Sequence, residues 1–175
     1  MREMFTQTVN ALASAIDAQD PSTKKHSEHV SDIAEENGQA REYSEPELEQ
    51  LEWGGLLHDI GKIGIRDDVL LKNGRFTEEE REEMNNHPVK TRAILENFHF
   101  PKALRKVPEM AALHHEKVDG TGYPYGLTGE KLLLGSKIMA VADVYDALRS
   151  VRCYKPAFSH EYSSEVIMHK SGSHF

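Results

Sequence analysis

Hydrophobic positions along the chain recur at intervals of three and four residues, the spacing that places side chains on one face of an α-helix. Val9, Leu12 and Ile16 form such a stripe near the start, and similar stripes follow in later segments. No segment alternates between polar and apolar residues for longer than a few positions. We therefore predict an all-α protein, a single helical bundle of seven to nine helices in one domain over residues 1–175.

Turn and capping residues divide this pattern into separate helices. Asn37-Gly38 is typical of a helix C-terminus, and Ser44–Glu47 combines an N-cap serine with a proline at the first helical position. Thr77–Glu80 has the sequence of a capping box. Gly54-Gly55 interrupts the intervening helix at a cost of about 1 kcal/mol per glycine relative to alanine. We expect another helix, or a bound metal, to lie close to the backbone there.

Composition and charge narrow the range of partners. The 175 residues are 38% hydrophobic and 29% charged, and 21 basic against 29 acidic residues give a net charge of −8. We expect no DNA or RNA partner, because nucleic-acid affinity needs clustered positive charge. The single Cys153 excludes an internal disulfide and a thiolate zinc cluster. With no apolar run near the ~18 residues of a membrane span and no signal peptide, we predict a cytoplasmic protein without membrane association.

The adjacent residues His58 and Asp59 are the first sign of chemistry. An imidazole and a carboxylate side by side form a mixed nitrogen and oxygen ligand set that suits Fe, Mn or Zn. Lys62 follows at helical spacing and is suited to hold a phosphate or a metal-bound water. Taken alone, the segment also fits a buried His-Asp hydrogen bond at a helix end, with Gly61 ending the helix and Lys62 in solvent.

A wider set of histidines and acids strengthens the metal interpretation. The chain has 10 histidines, and the candidate ligands at predicted helix ends or inside helices are His26, His58, Asp59, His87, His114, His115 and Asp143. Asp143 lies among apolar positions of a predicted helix, where an unpaired carboxylate costs several kcal/mol. Its alternative role is to cap a neighbouring helix or to pair with Arg149 or Arg152. Any one histidine alone fits a structural role, whereas the full set favours metal binding. Two ions that share Asp59 would use every ligand and suit in-line displacement at phosphorus.

Two motifs then identify a family. His58-Asp59-Ile60-Gly61-Lys62 is followed by a run from His114-His115-Glu116 to Gly122-Tyr123-Pro124. This pattern resembles the HD-GYP domains, a subset of the HD superfamily of metal-dependent phosphohydrolases that degrade the bacterial second messenger cyclic di-GMP. The resemblance covers about Phe5 to Phe175. It implies an HD-domain-like fold and hydrolysis of cyclic di-GMP to linear pGpG, with GMP as a further product, by attack of a metal-bridging hydroxide on phosphorus.

The resemblance also implies a role for each matching residue. One metal would take His26, His58, Asp59 and Asp143, and the second would take the shared Asp59 with His87, His114 and His115. Lys62 would act with Asp59 in catalysis by touching the scissile phosphate or the attacking water. Tyr123 would line the nucleotide, presented by Gly122 and Pro124. Arg152 and Lys155 would contact the substrate phosphates, with a salt bridge to an acidic neighbour as the alternative for Arg152.

Departures from the family pattern refine these expectations. Ser22 stands where some members carry a third-metal glutamate, so we predict two divalent ions, with Fe or Mn favoured and Zn chemically allowed. His29 replaces the usual arginine and is expected on the surface. The family implies a sensor domain or a diguanylate cyclase as partner, so the chain is either an output domain or a stand-alone form; a homodimer is compatible with it. Three alternatives stay open: hydrolysis of another cyclic dinucleotide such as cyclic GMP-AMP, a catalytically silent binding module, and a purely structural metal bundle.

Overall fold

A computed structural model describes residues 2–19, 25–150 and 157–175. In the first of these segments, side chains are described for residues 6–18 only. These residues form nine α-helices, and none of them lies in a β-strand, so the all-α prediction is confirmed for the described part of the chain. The helices are α1 (Arg2–Gln19), α2 (His26–Ala40), α3 (Glu45–Leu57), α4 (Asp67–Leu70), α5 (Glu78–Asn85), α6 (His87–Leu95), α7 (Val107–Ala112), α8 (Leu134–Arg149) and α9 (His160–His169). Short 3₁₀ turns lie at Ile60–Gly64, Lys102–Leu104 and Gly129–Lys131.

Helix α3 is the centre of the bundle because it packs into two hydrophobic clusters at once. On one side Trp53 and Leu57 lie in a cluster with the stripe of α1 and with Leu95 of α6. On the other side Leu51 packs with α2 and with Met139 of α8. Fully burying a leucine side chain contributes about 1.5–3 kcal/mol, so these contacts fix α3 firmly. The metal-ligand candidates follow at its C-terminal end.

Glycines permit the close contact between α2 and α3. A Cβ at Gly55 would lie 2.6 Å from the Ser31 Cα, which confirms the expected approach of another helix. The prediction that Asn37-Gly38 ends α2 is wrong, since the helix continues to Ala40. Gly38 is buried against α3, where a Cβ would lie 2.6 Å from the Leu51 Cδ1. The glycine is thus a packing position of a helix interior rather than a helix stop.

The predicted helix starts at the polar segments are confirmed. Thr77 Oγ1 accepts a hydrogen bond from the Glu80 amide at 3.3 Å, and the Glu80 carboxylate accepts one from the Thr77 amide at 2.7 Å. Ser44 likewise donates its amide to the Glu47 carboxylate at 2.9 Å ahead of α3. Within the described residues, no helix combines the length and apolar character that a membrane crossing requires.

Candidate metal centre

The seven predicted ligands converge at one end of α3, and each one stands at or near a helix terminus except Asp143, which lies inside α8. Their donor atoms form three overlapping groups in which all atoms lie within 4.8 Å of one another. We call His26, His58 and Asp143 the first group, and His87, His114 and His115 the second group. Asp59 lies with His58 and His114 in the third, which connects them.

Helix C-termini orient three of the histidines. The last carbonyl groups of a helix have no partner inside that helix. His58 directs its Nδ1 to the Gly55 carbonyl at 2.7 Å, at the end of α3. His87 directs Nδ1 to the Met84 carbonyl at 2.8 Å, at the end of α5. His114 makes the same contact with Ala111 of α7 at 2.5 Å. A ring that donates from Nδ1 in its neutral form carries a lone pair on Nε2, the form that ligates metals.

These lone pairs point at a carboxylate. The Nε2 atoms of His58, His87 and His114 are buried and make no hydrogen bond with any residue that the structure describes. Asp59 oxygens nevertheless lie 3.4 Å from the His58 Nε2 and 3.2 Å from the His87 Nε2. Acceptors that face one another in a buried site repel unless a cation lies between them, and burying unpaired polar atoms is costly. The arrangement therefore fits divalent cations.

The two oxygens of Asp59 face different ligands. Oδ1 lies 3.2 Å from the His87 Nε2 and 4.0 Å from the His114 Nε2, on the side of the second group. Oδ2 faces the His58 Nε2 at 3.4 Å and the Lys62 ammonium at 2.7 Å. Burial alone would raise the pKa of Asp59, but Lys62 and the neighbouring imidazoles hold it well below its ordinary value. A carboxylate so placed is suited to bridge two cations.

The remaining ligands form the exposed side of the centre. The side chains of Asp143 and His115 are 16% and 25% exposed, and their Oδ2 and Nδ1 atoms lie 3.8 Å apart. The low-polarity surroundings of the His115 ring lower its pKa to about 4, so this histidine is neutral around pH 7. His26, by contrast, contacts Asp143 Oδ1 through Nε2 at 3.2 Å. Although burial opposes it, hydrogen bonds to Asp143 and Asp146 raise the pKa of His26 to about 10.

Gly61 explains why the turn after Asp59 can pack so closely on α6. A Cβ at this position would overlap the His87 carbonyl oxygen and the Thr91 amide. Thr91 completes the contact, because its hydroxyl accepts from the Gly61 amide at 3.0 Å and donates to the His58 carbonyl at 2.9 Å. Lys62 lies on this 3₁₀ turn with a side chain only 17% exposed. The alternative with Lys62 in solvent is therefore wrong.

The loop after His115 is held by a residue whose role the sequence did not indicate. Glu116 is buried, and its carboxylate accepts the Tyr125 amide at 2.6 Å and the Leu127 amide at 2.9 Å. Gly122 lies so close to the Glu116 backbone that a Cβ would be 2.5 Å from its Cα. The Tyr123 ring packs against His115, with ring centres 4.7 Å apart, ahead of a cis bond to Pro124. Tyr123 therefore borders the exposed side of the centre.

The sequence patterns did not indicate one residue that contacts the site, Asp146, and three residues considered above lie outside the part of the chain that the structure describes. Asp146 contacts the Nδ1 of His26 at 2.6 Å. His29 is half exposed, as expected for a surface residue. Its Nδ1 nevertheless lies 3.1 Å from Asp146 Oδ1. The spacing of Asp146, three residues after Asp143 on one helix face, is the signal that could have found it. Ser22, Arg152 and Lys155 lie outside the described residues.

The fold and the site together define an all-α protein with a histidine and aspartate cluster suited to divalent metals. The chain belongs to the HD domain family, whose model matches residues 10–175. The resemblance to HD-GYP domains is confirmed by this match and by the relatives of the chain.

Three similar proteins illustrate the relationship. A cyclic di-GMP phosphodiesterase of Vibrio cholerae is 42% identical over 186 residues, which cover 99% of this chain and 37% of the relative. A 3′3′-cGAMP-specific phosphodiesterase 2 of the same organism is 34% identical, covering 100% of this chain and 33% of the relative. The solved structure of an HD-GYP protein of Bdellovibrio bacteriovorus matches with a TM-score of 0.71 at 19% identity, over 99% of this chain and 60% of that one. The chain thus spans well under half the length of these two curated relatives.

Proposed function

We propose that this protein is a metal-dependent phosphodiesterase that hydrolyses cyclic di-GMP to linear pGpG. The observation that carries the proposal is the set of buried Nε2 lone pairs directed at Asp59, an arrangement that calls for cations between them. The 42% identity to a cyclic di-GMP phosphodiesterase supports the choice of substrate. Residues 1–175 form one domain in this proposal, because the two large hydrophobic clusters share α3 and together include α1, α2, α6, α7 and α8.

Two metal ions, each held by one ligand group and both by Asp59, would supply an activated water and positive charge at the phosphate. Fe and Mn suit this set of imidazole and carboxylate ligands, as does Zn, since no thiolate lies among them. Lys62 is placed to add a further positive charge beside Asp59 Oδ2, where charge develops on the phosphate oxygens. Attack of water on phosphorus breaks the bond to the 3′-oxygen, which takes a proton and leaves as a hydroxyl.

The exposed side of the centre is the proposed substrate entrance. His115 and Asp143 are the most exposed of the candidate ligands, and the Tyr123 ring lies beside His115. An aromatic ring next to the reacting phosphate can stack on a guanine base. Glu116 fixes the loop that carries Tyr123, so the ring is positioned before substrate arrives. Contacts of Arg152 and Lys155 with the substrate phosphates, a cytoplasmic location, a homodimer and a sensor or cyclase partner stay predictions.

Another cyclic dinucleotide is the second candidate substrate. A 3′3′-cGAMP-specific relative matches the whole chain at 34% identity, so family motifs do not separate the two specificities. The two remaining alternatives predict no turnover: a silent module would bind dinucleotide without hydrolysing it, and a structural metal bundle would unfold when chelated.

One experiment separates these possibilities. Protein purified without oxygen is loaded separately with Fe(II), Mn(II) or Zn(II), and hydrolysis of cyclic di-GMP and 3′3′-cGAMP is followed by chromatography. We expect faster turnover of cyclic di-GMP, with pGpG as first product, and none in the Asp59→Ala variant. Faster turnover of 3′3′-cGAMP would favour the second candidate. Tight dinucleotide binding without hydrolysis under any metal would contradict the enzymatic proposal.

A further inference from the structure

His26 is oriented differently from the other buried ligand histidines. His58, His87 and His114 each use a carbonyl from the last turn of a preceding helix. His26 is the first residue of α2, so no turn of that helix precedes it. Its Nδ1 instead lies 2.6 Å from Oδ2 of Asp146, a side chain 120 positions away on α8. Orientation of this ligand thus depends on a side chain rather than on the backbone.

Asp146 is itself held in place. It is 4% exposed, and its Oδ2 accepts a hydrogen bond at 3.2 Å from the hydroxyl of Ser150, the residue that follows α8. His29, one turn after His26 on α2, lies with its Nδ1 3.1 Å from the other oxygen, Oδ1. The two oxygens of Asp146 therefore contact two histidines of one helix, and α8 meets α2 through a short chain from His29 to Asp146 to His26.

We propose that Asp146, held by His29, is a positioning residue for metal binding at the first group. A carboxylate that accepts from the remote nitrogen of a ligand histidine fixes the ring and makes its metal-binding nitrogen more basic. Here that nitrogen is the His26 Nε2, which faces Asp143 Oδ1 at 3.2 Å. In the second group, the Nδ1 atoms of His87 and His114 bind carbonyls instead. The Nδ1 of His115 lies 3.8 Å from Asp143 Oδ2, which is beyond hydrogen-bond distance. We therefore expect Asp146 to affect only the metal proposed for the first group.

The proposal rests on the two-metal site proposed above, but it is tested by metal binding and not by turnover. Protein freed of metal is titrated with Co(II) against a competing chelator, and the absorption spectrum reports the coordination of each ion. Loss of a second-sphere partner typically lowers metal affinity by about 10–100-fold. We expect Asp146→Asn to weaken one of the two Co(II) dissociation constants by that factor and to leave the other at its wild-type value. Two unchanged constants, or two that weaken equally, would overturn the proposal.

Variants of His29 test the outer link without opening a cavity, since this side chain is half exposed. We expect His29→Ala to weaken the same constant by a smaller factor, and His29→Arg, which can also donate to Asp146, to restore it. The matched control is His99→Ala, another exposed histidine, which should change neither constant. If His29→Ala binds both ions as the wild type does, His29 has no part in positioning.

A second measurement needs no metal. Long-range proton–nitrogen NMR spectra of the metal-free protein report the side-chain nitrogens of each histidine. The His26 Nδ1 proton, hydrogen-bonded to Asp146, is expected to give a protected downfield signal. This signal should move upfield in Asp146→Asn, because a neutral amide oxygen is a weaker acceptor than a carboxylate, while the signals of His58 and His114 stay unchanged. A His26 signal that is identical in the two proteins would overturn the proposal even if no metal binds, whereas failure of turnover alone would bear only on the proposed function.

Discussion

The first and second ligand groups contain similar side chains but keep them in different states. Burial lowers the pKa of His26, but His26 lies between the carboxylates of Asp143 and Asp146, whose hydrogen bonds outweigh burial and raise this pKa to about 10. His115 of the second group has a pKa lowered to about 4 because its surroundings disfavour the charged ring. A protonated His26 would therefore have to lose a proton before a metal binds at the first group, whereas His114 and His115 of the second group are neutral imidazoles. The comparison shows that two proposed metal sites in one cluster can differ in the protonation state of their histidines.

Removal of Asp59, the proposed shared ligand, should abolish the difference between the two groups. In Asp59→Ala both groups lose the carboxylate that faces them, so we expect both metals to be lost and turnover to fall by at least about 10³-fold, the range typical of essential catalytic groups. Metal analysis and the hydrolysis assay measure the two effects on the same sample. Asp32→Ala, an exposed acid on α2, is the control and should keep both metals. Retention of two tightly bound ions in Asp59→Ala would contradict the bridging role.

A bulkier residue at Gly61 should move the two ligand groups apart. In Gly61→Ala the new methyl group would overlap the His87 carbonyl, so the turn that carries Asp59 and Lys62 must move away from α6. We expect a loss of stability of about 1–3 kcal/mol, as for other overpacked positions, together with weaker metal binding.

Thermal unfolding of the metal-free protein measures the first effect. Gly64→Ala in the same turn is the matched control, because its Cβ would meet only the flexible side chain of Lys90 at 2.9 Å. Equal melting temperatures for the two variants would show that the close packing at Gly61 is unimportant.

Single substitutions within each group should remove one metal at a time. We expect His58→Ala to bind one ion through the second group and His114→Ala to bind one through the first, with a content near one per chain in each case. Both side chains are buried, so unfolding is monitored by circular dichroism alongside metal analysis. Two ions in either variant, with the fold intact, would show that the groups are not separate sites.

The pH dependence of binding should differ between the groups. Metal binding at the first group must displace the His26 proton, so its affinity should rise by about tenfold per pH unit up to the pKa of about 10. His115 is already neutral above its pKa of about 4, so it contributes no such rise at neutral pH. Chelator competition at pH 6, 7 and 8 measures both slopes. The same pH dependence of affinity for the two ions would contradict the predicted difference between the groups.

Local sequence patterns predicted the helices and the residues that cluster as candidate ligands, because capping, periodicity and motif spacing are properties of neighbouring residues. Thr77–Glu80 starts α5 and Gly55 marks a helix contact, as expected. Gly38 was misjudged because a glycine in a helix and a glycine at its end look alike until the partner helix is known. The contact of His26 with Asp146 spans 120 positions, so no local pattern reveals it. Glu116 lies in a motif, but its bonds to later loop amides depend on the path of the loop.

The most direct test of the central claim is a crystal structure of the Mn(II)-loaded protein, with the metals located by anomalous scattering. We predict two peaks per chain, one among His26, His58 and Asp143 and the other among His87, His114 and His115, with one Asp59 oxygen bound to each. A single peak, or two peaks that do not share Asp59, would contradict the account.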